Sequence, residues 1–150
     1  LAQVAAITDL QLHAEPEAFA ILQRAGATSL HPAQTDTFHR EYLDRALSVR
    51  IVSGFEAAVL HIMTHSSGHS ESIVTRSRET AQAFQEQINS AVTYWNTSTR
   101  FTDGFEFGMG GEIGISTGKL HVRGPIGLIE LTQTRWIGEA IDQQQGAIRR

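Results

Sequence analysis

The apolar side chains of three segments recur at the spacing of an amphipathic helix. The first covers residues 15–24. The second is predicted to begin at a capping box formed by Ser53 and Glu56 and to run to about His65. The third covers residues 78–88. The pattern therefore predicts three helices, none longer than about four turns.

Short apolar and β-branched runs lie between these helices. They cover residues 46–52, 71–75 and 91–96, which is typical of strands. Strands that alternate with helices at this spacing indicate an α/β fold, in which the helices pack against a largely buried sheet. Residues 28–40 lack an apolar period and are predicted to form a loop or an edge segment.

The character of the sequence changes after residue 96. Eight glycines fall within residues 104–127, which predicts a shaped loop rather than a core element. Residues 128–137 then alternate and predict a long strand, followed by a polar tail. An unpaired strand is a template for another chain, so we expect a homo-oligomer through this strand. The predicted division is 1–127 for the domain and 128–150 for the oligomerisation strand and tail.

Length, composition and charge place this pattern in an ordinary folded protein. The 150 residues are 41% hydrophobic, which is enough for one sizeable core. A net charge of −4 disfavours nucleic acid and membrane surfaces as partners. No apolar run approaches the roughly 20 residues that cross a bilayer, and no secretory leader is recognisable, so we expect a cytoplasmic protein. The chain contains no cysteine, which excludes a thiol nucleophile of its own.

Three histidines are spaced at four-residue intervals. His61, His65 and His69 could lie on one helical face as zinc ligands. However, Gly68 should end the helix before His69, and no carboxylate lies in register between the imidazoles. A solvated histidine face is therefore the preferred interpretation, and no metal site is predicted.

Two charged side chains are candidates for binding a small molecule. Arg100 follows a predicted strand among hydroxyl-bearing residues, and its planar guanidinium could bind a phosphate or carboxylate. It could equally be a solvated arginine paired with Asp103, and the residues leave both open. Glu41 could accept a hydrogen bond from a sugar hydroxyl, although a lone glutamate before a strand is more often solvated.

The sequence from 96 to 127, NTSTRFTDGFEFGMGGEIGISTGKLHVRGPIG, resembles the C-terminal signature of the glutamate-5-semialdehyde dehydrogenases, also called γ-glutamyl phosphate reductases. Residues 41–49 and 67–75 are similar to the same family in the same order, and the resemblance covers about residues 22–136. It implies part of the three-layer α/β catalytic domain of the aldehyde dehydrogenase fold, with a C-terminal oligomerisation strand.

The resemblance also implies a function. The family reduces L-glutamyl 5-phosphate with NADPH to glutamate 5-semialdehyde and phosphate, a step of proline biosynthesis. It implies substrate binding by Ser98, Thr99, Arg100 and Phe101, and cofactor binding by Glu41, Phe107 and Gly108. The partners implied are L-glutamyl 5-phosphate, further copies of the chain, and glutamate 5-kinase, which acts one step earlier.

The sequence departs from the family pattern in one decisive respect. The family reaction runs through a cysteine thioester, and neither that cysteine nor a Rossmann half is present in these 150 residues. We therefore expect the chain to be inactive alone and assign it no catalytic residue. The alternative is a self-standing, non-catalytic α/β oligomerisation module derived from the family. The preference for NADPH over NADH stays open.

Overall fold

Two small parallel sheets organise the chain in a computed structural model, which describes residues 1–142 and 145–149 and the side chains as far as residue 138. The chain divides into two compact units. The first unit contains Leu1–Ser67 and Ser77–Asn89, and the second contains Gly68–Arg76 and Ser90–Arg150. Each unit is described here by itself.

The sheet of the first unit has three parallel strands. The central strand β1 (Gln11–Ala14) pairs with β2 (Leu30–Pro32) on one side and with β3 (Ala46–Val49) on the other. Leu12 of β1 faces Leu30 and Leu47 in the two neighbouring strands and is fully buried. Parallel pairing with one central apolar strand is the arrangement that helical crossovers produce.

Four helices belong to the first unit: α1 (Ala2–Thr8), α2 (Pro16–Arg24), α3 (Phe55–His65) and α4 (Arg78–Gln87). A short 3-10 helix also spans Thr37–His39. The first two helices and β1 share a buried cluster made of Ala2, Ala5, Leu12, Ala14, Ala18 and Leu22. Small alanines let the helices approach the sheet closely, which suits a core of this modest size.

The second unit is built from pairs of strands. Strands β4 (Ser70–Ile73) and β5 (Val92–Trp95) are parallel. After a 3-10 turn at Thr99–Phe101, two antiparallel pairs follow: β6 (Gly114–Ser116) with β7 (Gly124–Ile126), and β8 (Ile137–Asp142) with β9 (Gln145–Arg149). Within the described residues, no helix combines the length and the apolar character needed to cross a membrane.

The α/β class predicted from the sequence is confirmed. Helices α2 and α4 begin and end within one residue of their predicted limits, and α3 ends at His65 as expected. The predicted strands are present but shorter, because pairing stops where the neighbouring strand ends. Residues 28–40 contain the edge strand β2, so the alternative of an edge segment was correct. Two elements near the start, α1 and β1, were missed.

Two sequence predictions are wrong. The capping box fails because α3 begins at Phe55, so Gly54 rather than Ser53 occupies the N-cap and no side chain caps the helix. The long strand over residues 128–137 is absent. The Glu130 carboxylate accepts a hydrogen bond from the Gly127 amide (2.8 Å), which bends this segment into a turn, and the strand begins only at Ile137.

Three predictions about the C-terminal region are not tested by the structure. Residues 143, 144 and 150 of the predicted polar tail lie outside the described residues. Strands β8 and β9 form a hairpin within one chain, and assembly with another chain through this region stays a prediction. The same holds for the predicted division at residue 127.

Glu15 joins helix α2 to the end of strand β3. Its carboxylate accepts hydrogen bonds from the amides of Ala18 (2.8 Å), Glu17 (3.1 Å) and Ile51 (3.4 Å). The Ala18 bond is the main cause that lowers the pKa of Glu15 below its ordinary value of 4.5. A carboxylate whose pKa is lowered by folding stabilises the fold fully above that ordinary value and progressively less as the pH falls through the lowered one.

We predict that Glu15→Ala lowers the free energy of unfolding by about 1 kcal/mol at pH 7, because it removes the N-cap of α2. The loss should shrink as the pH is lowered toward 3. Urea unfolding across this pH range measures it. Glu15→Gln is the matched control, since it keeps one oxygen acceptor but cannot ionise. An equal loss for Glu15→Ala at pH 7 and pH 3 would contradict the role of the carboxylate.

Candidate functional site

A loop of the second unit, residues 97–102, carries the four residues that the resemblance assigns to the substrate. It leaves the carboxyl end of β5 and returns across the β4–β5 sheet, where it is fixed at both ends by side chains of that sheet. We call it the 97–102 loop. Loops that a rigid sheet positions are common places for binding residues.

Asn96 fixes the beginning of the loop. Its backbone adopts a left-handed conformation (φ 53°), which asparagine tolerates better than most residues. Its side-chain amide accepts a hydrogen bond from the Thr75 amide and donates one to the Thr75 carbonyl, both at 2.9 Å. The Ser72 hydroxyl donates to the Thr97 carbonyl at 2.6 Å. The chain therefore leaves β5 in one defined direction.

Thr102 fixes the end of the loop. It is buried, with 8% of its surface exposed, and its hydroxyl contacts two side chains of the sheet. The Ser70 Oγ lies 2.7 Å away and the Tyr94 hydroxyl lies 3.0 Å away. A buried hydroxyl needs such partners, since an unpaired one costs about 1–3 kcal/mol. These contacts determine where the loop ends.

The loop lines an open cleft of about 530 Å³. Ser98 and Thr99 are among its lining residues, together with Ser72, Val74, Asn96 and Thr97. Arg100 and Phe101 follow in the 3-10 turn and are exposed, but the cleft lining includes neither of them. Ser98 caps this turn by accepting a hydrogen bond from the Arg100 amide. Within the described part of the chain, the Arg100 guanidinium has no carboxylate partner. The Asp103 carboxylate instead accepts from the Phe105 amide, so the alternative of a paired loop arginine is not what the structure shows.

Phe107 and Gly108 lie in the glycine-rich segment of the same unit. The Phe107 amide donates to the Asp103 carbonyl (3.0 Å) and the Gly108 amide to the Phe105 carbonyl (2.9 Å), so both residues belong to a tight turn directly after the loop. Gly108 has a φ of 73°, which requires a glycine-like residue. The segment is more than a loop, since it also contains strands β6 and β7.

Glu41 lies in the first unit, between the 3-10 helix and β3, and its side chain is exposed. A network beneath it fixes the backbone: the Tyr42 hydroxyl donates to Ser48 Oγ (3.1 Å), which donates to the carbonyl of the buried Thr37 (2.9 Å). The Tyr42 ring stacks on His13, with ring centroids 4.9 Å apart. The structure thus brings the predicted substrate residues together with Phe107 and Gly108 in one unit and places Glu41 in the other.

Sequence reasoning missed Leu43, two residues after Glu41. Its backbone has a φ of 51°, which is rare for a branched side chain, and 89% of its surface is exposed. A strained conformation that presents an apolar side chain to solvent is typical of functional segments. Ser70, Ser72 and Asn96 were missed as well. The available signal was the row of hydroxyls at alternate positions of β4, which places them on one face of a strand.

The predicted histidine face is only partly present. His61 and His65 lie together on α3, but His69 lies in the other unit, and His39 takes its place with Nε2 2.9 Å from His65 Nδ1. Burial lowers the pKa values of His61 and His65, and Arg50 lowers both further. Among the described residues, no group of three histidines, cysteines or acids suits a metal ion.

Several known proteins are similar to this chain in sequence, although no protein-family model matches it. The gamma-glutamyl phosphate reductase of Tolumonas auensis is 48% identical over 129 residues, which cover 86% of this chain and 31% of the relative. The Treponema pallidum protein of that name is 49% identical over 124 residues, which cover 82% of this chain and 29% of the relative.

A solved structure agrees with these sequence matches. The crystal structure of gamma-glutamyl phosphate reductase from Thermotoga maritima aligns with a TM-score of 0.81 and 39% identity, over 87% of this chain and 30% of that one. The resemblance to the gamma-glutamyl phosphate reductases is confirmed. The chain spans about a third of the length of the relatives it matches, a share that suits the C-terminal part of such a reductase.

Gly104, two residues after the loop, lies where the backbone leaves no room for a side chain. A Cβ atom on Gly104 would lie 2.6 Å from the Gly111 carbonyl oxygen and 2.8 Å from the Glu112 Cβ, so only glycine fits. A Cβ on Gly111 would meet nothing within 4 Å. We predict that Gly104→Ala lowers the free energy of unfolding by about 1–3 kcal/mol, as overpacking does. Gly111→Ala, the matched control, should be neutral or stabilising by up to about 1 kcal/mol. Thermal melts that rank the two variants the other way would contradict this packing.

Proposed function

We propose that this chain forms the substrate-binding loop and a cofactor-contacting segment of a NADPH-dependent gamma-glutamyl phosphate reductase. In this proposal the complete enzyme reduces L-glutamyl 5-phosphate to glutamate 5-semialdehyde and phosphate, in the cytoplasmic synthesis of proline. The observation that carries it is the 97–102 loop, which is fixed at both ends, lines a cleft with hydroxyl groups and carries the exposed Arg100.

The loop chemistry suits an acyl phosphate. The Arg100 guanidinium can donate two parallel hydrogen bonds to phosphate oxygens, which ammonium groups do less specifically. The Ser98 and Thr99 hydroxyls, which line the cleft, can donate further hydrogen bonds to the same anion. Because the 3-10 turn and the contacts with the sheet hold the backbone in place, little conformational entropy is lost when the anion binds.

The first unit would serve the cofactor. NADPH, when bound, supplies the hydride, and the role proposed for this chain is to orient it. The exposed Glu41 carboxylate is available to accept hydrogen bonds from ribose hydroxyls, and the exposed Leu43 beside it offers an apolar contact. The thiol that forms the acyl-enzyme must come from outside these 150 residues, since they contain no cysteine.

The alternative stays a non-catalytic α/β oligomerisation module. The absence of a cysteine favours it, and so does the hairpin of β8 and β9 as a candidate contact for further copies of the chain. The partnership with glutamate 5-kinase belongs only to the enzyme proposal.

The reverse reaction tests the enzyme proposal, because glutamate semialdehyde then reduces NADP⁺ while phosphate accepts the acyl group, so the phosphate KM can be measured directly. In the complete enzyme, Arg100→Ala should lower kcat/KM for phosphate by about 10- to 150-fold, which corresponds to the loss of a charge-assisted contact. The KM for NADP⁺ should stay unchanged. Glu41→Ala should do the reverse.

Arg76→Ala is the matched control, since Arg76 is an exposed arginine of the same unit outside the loop. Equal effects of Arg100→Ala and Glu41→Ala on both KM values would contradict the assigned roles. The 150-residue chain assayed alone should show no turnover. A complete protein that forms oligomers but turns over neither substrate would establish the module instead.

A further inference from the structure

A chain of four hydrogen-bonding side chains runs beneath the 97–102 loop. His69 Nδ1 lies 2.7 Å from Ser70 Oγ, Ser70 Oγ lies 2.7 Å from Thr102 Oγ1, and Thr102 Oγ1 lies 3.0 Å from the Tyr94 hydroxyl. All four residues belong to the second unit and are buried or half-buried. Neither the resemblance nor the proposed function gives His69 a role.

The protonation of one atom determines the direction of this chain. When His69 Nδ1 carries no proton, it accepts from Ser70, which accepts from Thr102, which accepts from Tyr94. When Nδ1 carries a proton, it donates to Ser70, and each hydroxyl then donates one step further toward Tyr94. Because a hydroxyl can donate one hydrogen bond and accept two, both directions satisfy the buried Thr102. Without the imidazole, Ser70 and Tyr94 still satisfy Thr102, but the Ser70 hydroxyl loses the partner that fixes its direction.

We propose that His69 is a positioning residue for the substrate, which acts through Ser70 and Thr102 on the 97–102 loop by holding the Ser70 hydroxyl where it contacts Thr102. The proposal rests on the proposed function for the identity of the ligand, an acyl phosphate or inorganic phosphate.

The charged and titratable groups near this chain of hydrogen bonds do not interrupt it. On β5 the titratable group is Tyr94 itself. On the loop the Arg100 guanidinium is exposed, and directly after the loop the Asp103 carboxylate accepts from the Phe105 amide. On β4, the Glu71 carboxylate accepts from the Ser90 hydroxyl at 3.3 Å. The Ser70–Thr102 contact therefore connects the imidazole to the loop without an intervening carboxylate.

Two variants of the complete enzyme test the hydrogen bond that His69 makes. His69→Asn places an amide near the position of Nδ1, so it keeps a partner for the Ser70 hydroxyl. Its phosphate KM should match that of the wild type. His69→Ala should raise the phosphate KM by about three- to ten-fold at pH 8. Neither should change the KM for NADP⁺. Ser90→Ala is the control: it deletes a hydroxyl that donates to Glu71 of β4 but takes no part in the contacts of His69, and it should change neither KM.

Hydrogen–deuterium exchange gives a readout that does not depend on activity. His69→Ala should accelerate exchange of the amides of residues 99–102, whereas His69→Asn should not, and both variants should keep the wild-type circular dichroism spectrum. Accelerated exchange in a protein without reductase activity would support the positioning role and overturn the proposed function. An active enzyme in which His69→Ala changes neither the exchange nor the phosphate KM would overturn the inference, as would a His69→Asn variant whose phosphate KM rises as much as that of His69→Ala.

Discussion

The hydrogen bonds of one buried hydroxyl fix the 97–102 loop on the strands of the second unit. Thr102 Oγ1 contacts Ser70 of β4 and Tyr94 of β5 at the point where the loop returns to the sheet. Asn96 and Ser72 fix the other end of the loop. Because the loop is fixed at both ends, the hydrogen-bond donors of the exposed Ser98, Thr99 and Arg100 stand on a defined backbone.

The first unit uses the same device. Thr37 and Thr102 are the two polar residues that are buried in the described part of the chain. The hydroxyl of Thr37 accepts from the Gln34 amide at 2.7 Å and its carbonyl accepts from Ser48, so it fixes the segment that presents Glu41. In both units a buried threonine anchors an exposed charged residue a few positions away. Buried polar groups of this kind add little net stability, but they define one backbone conformation.

Local patterns predicted the elements, and long-range contacts decided the site. The periodicity of residues 78–88 was sufficient for α4, because burial of Ala81 and Phe84 on one face is a local property. The turn at residues 127–132 was not predictable from alternation, since it depends on where the Glu130 carboxylate folds back. Likewise, the regular spacing grouped His69 with His61 and His65. In the folded chain the neighbour of His65 is instead His39, which lies 26 residues earlier in the sequence. Family resemblance predicts a substrate role for Arg100, but only the structure showed which side chains hold its loop.

The most direct test removes the Thr102 hydroxyl and nothing else. Thr102→Val replaces it with a methyl group of similar size, so the buried volume is kept while both hydrogen bonds are lost. In the complete enzyme, measured by phosphate-dependent reduction of NADP⁺, the phosphate KM should rise about ten-fold while the KM for NADP⁺ stays at its wild-type value. A wild-type phosphate KM in this variant would contradict the claim that Thr102 holds the substrate-binding loop.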